Sequence, residues 1–423
     1  MRKISLSLLS IFASLLSAFS QNTGSDTASG YINRKLTLEE INIVSSYYHQ
    51  DGNNSAVTGG IGTEKLSDYA NIIDVKLNKY SKRNLKHTIG LEFGIDHFTS
   101  ASSDNVSPNT GTNASSSAVD SKDTRIYPSV NWQVENEKKG STYGVGASFS
   151  HEFDYLSFGG DFIFGKKFRN NNSEFSGKLQ TYIDQLKLVY PSEFITVTGN
   201  GGGHHHDDDD DDDDDDEGGR SGNYATSMRY SVSSSLTYAH VVNKNIQLAF
   251  IADAIYQHGY LGLPFHRVYF NNDSLKVENL PSNRFKLPLA VRGSFFIGDR
   301  FIIRSYYRFY YDTWNLIANT ISIETPIKIT PFISISPFYR FYEQNGIKYF
   351  AGYKQHAVTD EFYTSNYDLG KFNSHFIGLG MRFVPPGGIF KRKHFNMIEV
   401  RYGYYRKNIG LQAHVVTLNL KFK

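Results

Sequence analysis

Cysteine is absent from all 423 residues. Its absence excludes a disulfide framework, a lipid-anchored N-terminal cysteine, Cys-ligated zinc or iron–sulfur sites and covalent c-type haem attachment. Long apolar runs are also missing. No stretch of ~18 continuous apolar residues occurs beyond the N-terminus, so no helical membrane span is expected. Mean hydropathy is −0.41, and leucine, the commonest residue of helical proteins, does not dominate. Neither a Gly-x-Ser-x-Gly nor a His-Glu-x-x-His sequence occurs, which removes the common signatures of serine hydrolases and zinc proteases.

What the chain has instead is an alternation of period two. In Arg300–Trp314, Phe301, Ile303, Ser305, Tyr307, Phe309 and Tyr311 share one face, and Ile302, Arg304, Tyr306, Arg308, Tyr310 and Asp312 share the other. Successive side chains of a strand point to opposite sides, so this segment has one apolar face and one charged face. Repeated segments of roughly 10 residues with this pattern, separated by turn residues, mark a transmembrane β-barrel. Phe (31) and Tyr (29) are abundant and flank the segments as interfacial girdles do. A soluble β-sandwich or β-helix is disfavoured by those girdles and by the lack of a 20–30-residue repeat.

The N-terminus reads as an export signal over residues 1–20. Arg2 and Lys3 precede a mostly apolar stretch, and Ala18 and Ser20 stand at −3 and −1 of a cleavage site before Gln21. Residues 21–40 are expected to be a periplasmic segment too short for a plug domain, and 41–423 to be an outer-membrane barrel. Sixteen strands are expected, at 41–48, 69–79, 85–98, 123–135, 142–153, 159–170, 177–189, 224–240, 246–259, 284–296, 300–312, 317–328, 332–344, 373–385, 395–408 and 411–423. With Lys423 at the periplasm, links such as 81–84, 241–245 and 297–299 fall on that side and are short. Links 49–68, 99–122, 190–223, 260–283 and 345–372 fall outside and are long. Short inner turns and long outer loops characterise outer-membrane barrels. The last strand ends on an aromatic, Phe422, as strands read by the barrel-assembly machinery commonly do. Inward rows are expected to hold Lys86, Glu92 and Asp96 on one strand, Arg284, Lys286 and Arg292 on a second, and Glu399 and Arg401 on a third. Such charges mostly pair across strands and hold the wall; a selectivity constriction is the alternative.

Two segments carry more than scaffold chemistry. His204, His205 and His206 are followed by Asp207, Asp208, Asp209, Asp210, Asp211, Asp212, Asp213, Asp214, Asp215 and Asp216, then Glu217, with glycines on both sides. Like charges this dense repel, so the loop is extended and solvated. Without Arg2 and Lys3 the formal charge of +2 becomes zero, so the chain outside the loop is near +11. Carboxylates take hard cations such as calcium, and adjacent imidazoles take zinc or copper. The loop is therefore expected to be a flexible collector of divalent cations, the alternative being a solvated spacer. No tightly bound cofactor is expected. The second segment is Tyr47–Leu66. Asp51, Asn53 and Ser55 have calcium-loop spacing, but Ala56 and Gly62 stand where a glycine and an acid are needed, so the EF-hand reading fails. No Gly-Lys-Ser/Thr follows its glycines, so it is not a phosphate loop. So small and apolar a loop is expected to fold into the barrel mouth.

The signal before Gln21, the Tyr-Tyr-His-Gln-Asp-Gly-Asn-Asn-Ser-Ala-Val-Thr-Gly-Gly-Ile-Gly-Thr-Glu segment and the His/poly-Asp loop together resemble an uncharacterised family of Gram-negative outer-membrane barrels, a domain of unknown function. The resemblance implies outer-membrane location, lipid as surroundings and a setting near envelope redox proteins; it implies no activity. The expectation is thus a non-enzymatic channel or surface binding protein. A structural sleeve for an envelope redox partner is the second reading. A barrel-embedded hydrolase using a serine with His151, His240, His258, His375 or His414 is the third. No nucleic-acid partner is expected.

Overall fold

The computed structural model describes residues 35–99, 122–168, 172–194 and 224–423. The expected signal at 1–20, most of the segment 21–40 and the His204–Glu217 loop lie outside the described residues.

The alternating segments become one closed antiparallel barrel. Its staves are β1 (Thr37–Asp51), β2 (Leu66–Tyr80), β3 (Lys86–Thr99), β4 (Lys122–Asn136), β5 (Ser141–His151), β6 (Tyr155–Phe168), β7 (Ser173–Lys187), β8 (Thr226–Asn243) and β9 (Ile246–Gly259). They continue as β10 (Asn283–Ile297), β11 (Phe301–Asp312), β12 (Ile317–Glu324), β13 (Ile333–Gln344), β14 (Phe372–Phe383), β15 (Phe395–Lys407) and β16 (Gln412–Phe422). Each pairs with its sequence neighbours, and β16 returns to β1, with Ile41 opposite Phe422 and Tyr47 opposite Val416. Among the described residues the barrel wall has no free edge, as a wall in lipid requires, because an unpaired backbone group there costs several kcal/mol.

The expected sixteen strands are present, with shifted ends. β1 starts at Thr37 rather than 41, because a bulge between Leu38 and Glu40 breaks the period there. The twelfth strand stops at Glu324 and resumes as Ile327–Lys328. Pro326 has no N–H for the ladder, which interrupts a strand expected to be continuous.

Facing follows the alternation. Leu289 (42% exposed), Tyr307 (44%) and Ile377 (57%) point outward, as do Leu91, Phe93 and Val400. Arg284, Lys286, Arg292, Glu92, Asp96, Glu399 and Arg401 fall on the inward rows, as expected. At one end, turns such as 81–85, 244–245 and 298–300 are short; at the other lie the long links 52–65, 260–282 and 345–371. The barrel is fastened across its closing seam by Glu40, which accepts from Lys76 Nζ at 2.7 Å and from Lys421 Nζ.

Candidate functional site: the bridged mouth and the charged bore

Loops at the long-link end fold over the bore. The link 52–65 joins β1 to β2, and 260–282 joins β9 to β10, half-way round a sixteen-stave ring. They meet: Arg267 Nη1 donates to the Val57 carbonyl oxygen at 2.8 Å. Gly59 has φ +80, and a Cβ there would sit 2.5 Å from the Tyr269 ring. Gly60 has φ +88, and its Cβ would lie 2.8 Å from the Ser365 carbonyl oxygen. Glycine is thus required twice, for a left-handed backbone and for close approach. Asn54 Nδ2 donates to Ile409 O at 2.6 Å, tying the same loop to the β15–β16 link. The expectation that this segment enters the mouth is met.

The cap has a core of its own. Residues 267–269 and 275–277 form a short hairpin. Val268 and Phe270 are fully buried and pack with Tyr363 of the 345–371 loop. Glu278 is buried, yet it accepts from Leu263 N at 2.8 Å, from the Thr364 hydroxyl and from His266 Nδ1 at 3.4 Å. Trp314, 2% exposed, packs on Leu316 and Ile347 below this layer. Asp312 holds it there: Oδ1 accepts from Trp314 N at 2.9 Å and from Leu316 N at 3.2 Å, and Oδ2 accepts from Arg284 Nε at 3.0 Å. The Arg284 guanidinium lies 4.1 Å above the Trp314 ring. A buried carboxylate with this many donors is a rigid anchor. Glu64 differs. It is half-buried in the cap, and its Oε2 has no partner. Burial, then Asp368, raises its pKa, and Lys407 pulls the other way.

Beneath the cap the bore wall is charged, and the charges are sorted. On the inward rows of β10–β16 the acids are Asp312, Glu324 and Glu399. Asp312 is bound to Arg284, Glu324 to Arg401 at 3.1 Å and Glu399 to Arg401 at 3.0 Å. Among the described residues this leaves Lys286, Arg292, Arg308, Arg340 and Arg382 without a carboxylate within 4.0 Å, whereas on β1–β9 Asp68, Glu92, Asp96 and Asp253 lack a cation within the same distance; Arg125 of β4 is an exception to the sorting, with Ser150 Oγ rather than a carboxylate as its partner. The expectation that inward charges mostly pair holds for part of the wall only.

Two clefts open on this wall. One, of about 360 Å³, lies on the acidic half against Glu92, Arg125, Tyr127, Tyr155 and Asp184. There Asp184 accepts from Ser157 Oγ at 2.7 Å and Arg229 Nε at 2.8 Å. The other, of about 310 Å³, lies on the basic half against Ser322, Glu324, Phe338, Arg340, Phe376 and Arg401.

The metal ligands expected at His204–Glu217 lie outside the described residues. Among the described residues no group of three or more His, Asp or Glu is placed to hold a metal ion. The histidines weighed for hydrolysis are on outward rows. His375 Nδ1 meets the Tyr339 hydroxyl at 2.7 Å and His414 Nδ1 that of Tyr402 at 2.8 Å. These pairs belong to the polar–aromatic belt of the outer wall, where amphipathic rings sit at headgroup level. His240 contacts Ser173 Oγ at 2.8 Å, and the third group there is the Tyr238 hydroxyl rather than an orienting acid. Sequence reasoning missed Arg267, Glu278, Asp312 and Trp314 as cap residues. Only the turn residues Asn271–Ser274 inside the loop hinted at a hairpin.

A closed wall, apolar outside and charged inside, with short turns at one end and folded loops at the other, defines a transmembrane barrel of the outer-membrane type. The chain belongs to the family described as "Protein of unknown function (DUF3570)", whose model matches residues 96–418. No curated protein matches it. Among solved structures it is similar to Pseudomonas aeruginosa OccK9 (OpdG), with 7% identity, TM-score 0.41, and 92% of this chain and 98% of that chain covered. A bacterial polysaccharide outer membrane secretin aligns with 9% identity, TM-score 0.42, and 93% and 99% covered. A BenF-like porin from Pseudomonas fluorescens Pf-5 aligns with 7% identity, TM-score 0.41, and 91% and 98% covered.

Proposed function

We propose that the chain is an outer-membrane channel, not an enzyme, whose mouth is narrowed by the cap and whose His204–Glu217 loop gathers divalent cations at the cell surface. The observation that carries the channel reading is the inward face: sixteen strands enclose a bore wide enough for water, and its wall keeps charges that are not spent on ion pairs. A barrel serving only as a scaffold has no use for uncompensated arginines inside. The cap counts against the sleeve reading, because a threaded partner would have to displace the Arg267–Val57 bridge and the core around Phe270.

The metal part rests on composition: three imidazoles beside eleven carboxylates offer donors to zinc, copper or calcium. Flanking glycines make ordering costly, so affinity is modest. Planar-bilayer recording of the purified full chain tests the channel; defined current steps are expected, and their absence rejects it. Calorimetric titration with zinc and calcium tests the loop. Deleting 204–217 is expected to keep the heat-modifiable barrel on gels and remove most metal uptake. Equal uptake by both proteins reduces the loop to a spacer.

A further inference from the structure

Arg125 apart, the unpaired acids and bases of the bore sit on opposite halves, and strand register places the cationic ones near one another. Arg308 stands opposite Thr320 and Arg304 opposite Glu324 across β11–β12. Ser322 stands opposite Arg340 across β12–β13, and Arg340 opposite Phe376 across β13–β14. With strands ~4.8 Å apart and inward residues alternating, Arg292 on β10 and Arg340 on β13 share one row and Arg308 on β11 lies in the adjacent row, so the three form a band two rows deep across β10–β13. Arg308 has a buried Nε with no hydrogen-bond partner.

Arg340 is the best placed of them. Its Cζ lies 5.0 Å from the centre of the Phe376 ring, a cation–π contact that holds the guanidinium over the ring. No carboxylate is paired with it among the described residues. Arg401 lies 5.0 Å over Phe338 in the same cleft, but Glu324 and Glu399 occupy it. The cleft of about 310 Å³ therefore presents one guanidinium without a carboxylate partner, held over an aromatic ring, a second ring and the hydroxyls of Ser322 and Thr417. A planar fork of N–H donors matches a carboxylate, and the rings match an apolar body.

We propose that this cleft binds organic monocarboxylates, with Arg340 as the anion anchor and Phe338 and Phe376 as the apolar floor, and that the arginine band leads anions along this half of the bore. The inference rests on the channel reading for its purpose but not for its test. On the other half, Glu92 of β3 repels the same solute, so anions are held to one wall.

The test is calorimetric titration of the full chain in detergent with 3-phenylpropionate and with its uncharged amide. The acid is expected to bind and the amide to bind at least tenfold more weakly. Arg340→Gln is expected to weaken the acid tenfold or more, since a charge-assisted hydrogen bond contributes ~1.5–3 kcal/mol and ~1.4 kcal/mol is tenfold. Asp253→Asn, on the other half, is expected to leave it unchanged. Heat-modifiable migration on gels confirms that each variant is assembled, and Arg340→Lys, which keeps the charge but loses the fork, is expected to fall between. Equal uptake of acid and amide, or an Arg340→Gln affinity equal to wild type, overturns the site. Inorganic sulfate binding as tightly as the acid also overturns it, because the rings then contribute nothing. Binding without bilayer current leaves the site standing and removes the channel; current without acid preference does the reverse.

Discussion

Arg267 and Val57 are joined by a 2.8 Å hydrogen bond across the mouth of the barrel, although their loops leave the wall from opposite sides. The same guanidinium holds Glu193 of the link after β7, with Arg267 Nη2 donating to Glu193 Oε2 at 3.2 Å. One side chain thus ties three loops over the bore.

Removing that tie should loosen the cap without opening the wall. Arg267→Ala loses a charge-assisted bond and a bond to a carbonyl, on the order of 2–4 kcal/mol of local cap stability. Limited proteolysis should cut within 52–65 faster than in wild type, with the strand circular-dichroism signal unchanged. Gly59→Val should act the same way by steric expulsion, whereas Gly298→Ala, where nothing lies within 4 Å, should leave the cap intact. Protection unchanged in both Arg267→Ala and Gly59→Val would refute the bridge.

Facing can be tested on one strand. Leu289 is outward, so Leu289→Arg should cost about 2–4 kcal/mol near the membrane midplane and depress assembly. Arg292 is inward, so Arg292→Leu should assemble normally. Heat-modifiability on gels separates the two; normal assembly of Leu289→Arg would reverse the facing.

The closing seam depends on Glu40 between Lys76 and Lys421. Glu40→Ala leaves two half-buried ammonium groups near each other without their anion, a loss on the order of 1–3 kcal/mol. The expected result is a lower unfolding midpoint in urea, with Lys86→Ala, whose contact with Glu39 is longer at 3.5 Å, having a smaller effect. Equal midpoints for Glu40→Ala and wild type would show that backbone pairing alone closes the ring.

The short link 152–154, at the end that carries the long links, predicts a pH dependence. Burial first, then Asp154, pushes the Glu152 carboxyl up to about 7. A raised folded-state pKa means that the protonated form is favoured by folding. The stabilising contribution is full below the ordinary carboxylate range and is lost as pH rises through about 7. Thermal stability in detergent should therefore fall between pH 5 and 8, and Glu152→Gln should flatten that fall by raising the pH 8 value. A Glu152→Gln profile parallel to wild type would remove Glu152 as the cause.

The period-two pattern of Arg300–Trp314 and its repeats was enough to establish a sixteen-stave barrel, its facing and its two unlike ends. Side-chain alternation is a local property of every strand, and lipid outside forces one row to be apolar. The same pattern named Arg284, Arg292 and Arg401 as inward. Strand ends were less legible, because a bulge at Leu38/Glu40 and the missing N–H of Pro326 are exceptions to the period.

Ring closure decided the rest. Only in the closed barrel do Val57 and Arg267, separated by 210 residues, face each other, and only there do Asp68, Glu92, Asp96 and Asp253 of β1–β9 share a bore with the unpaired bases of β10–β14. Charge placement along the chain is written residue by residue, but a field across a bore and a bridge over it exist only once distant strands share one circumference. The amino-acid sequence therefore determined the wall, and the tertiary structure determined its cap and its polarity, because the first is set by neighbours in sequence and the second by neighbours in space.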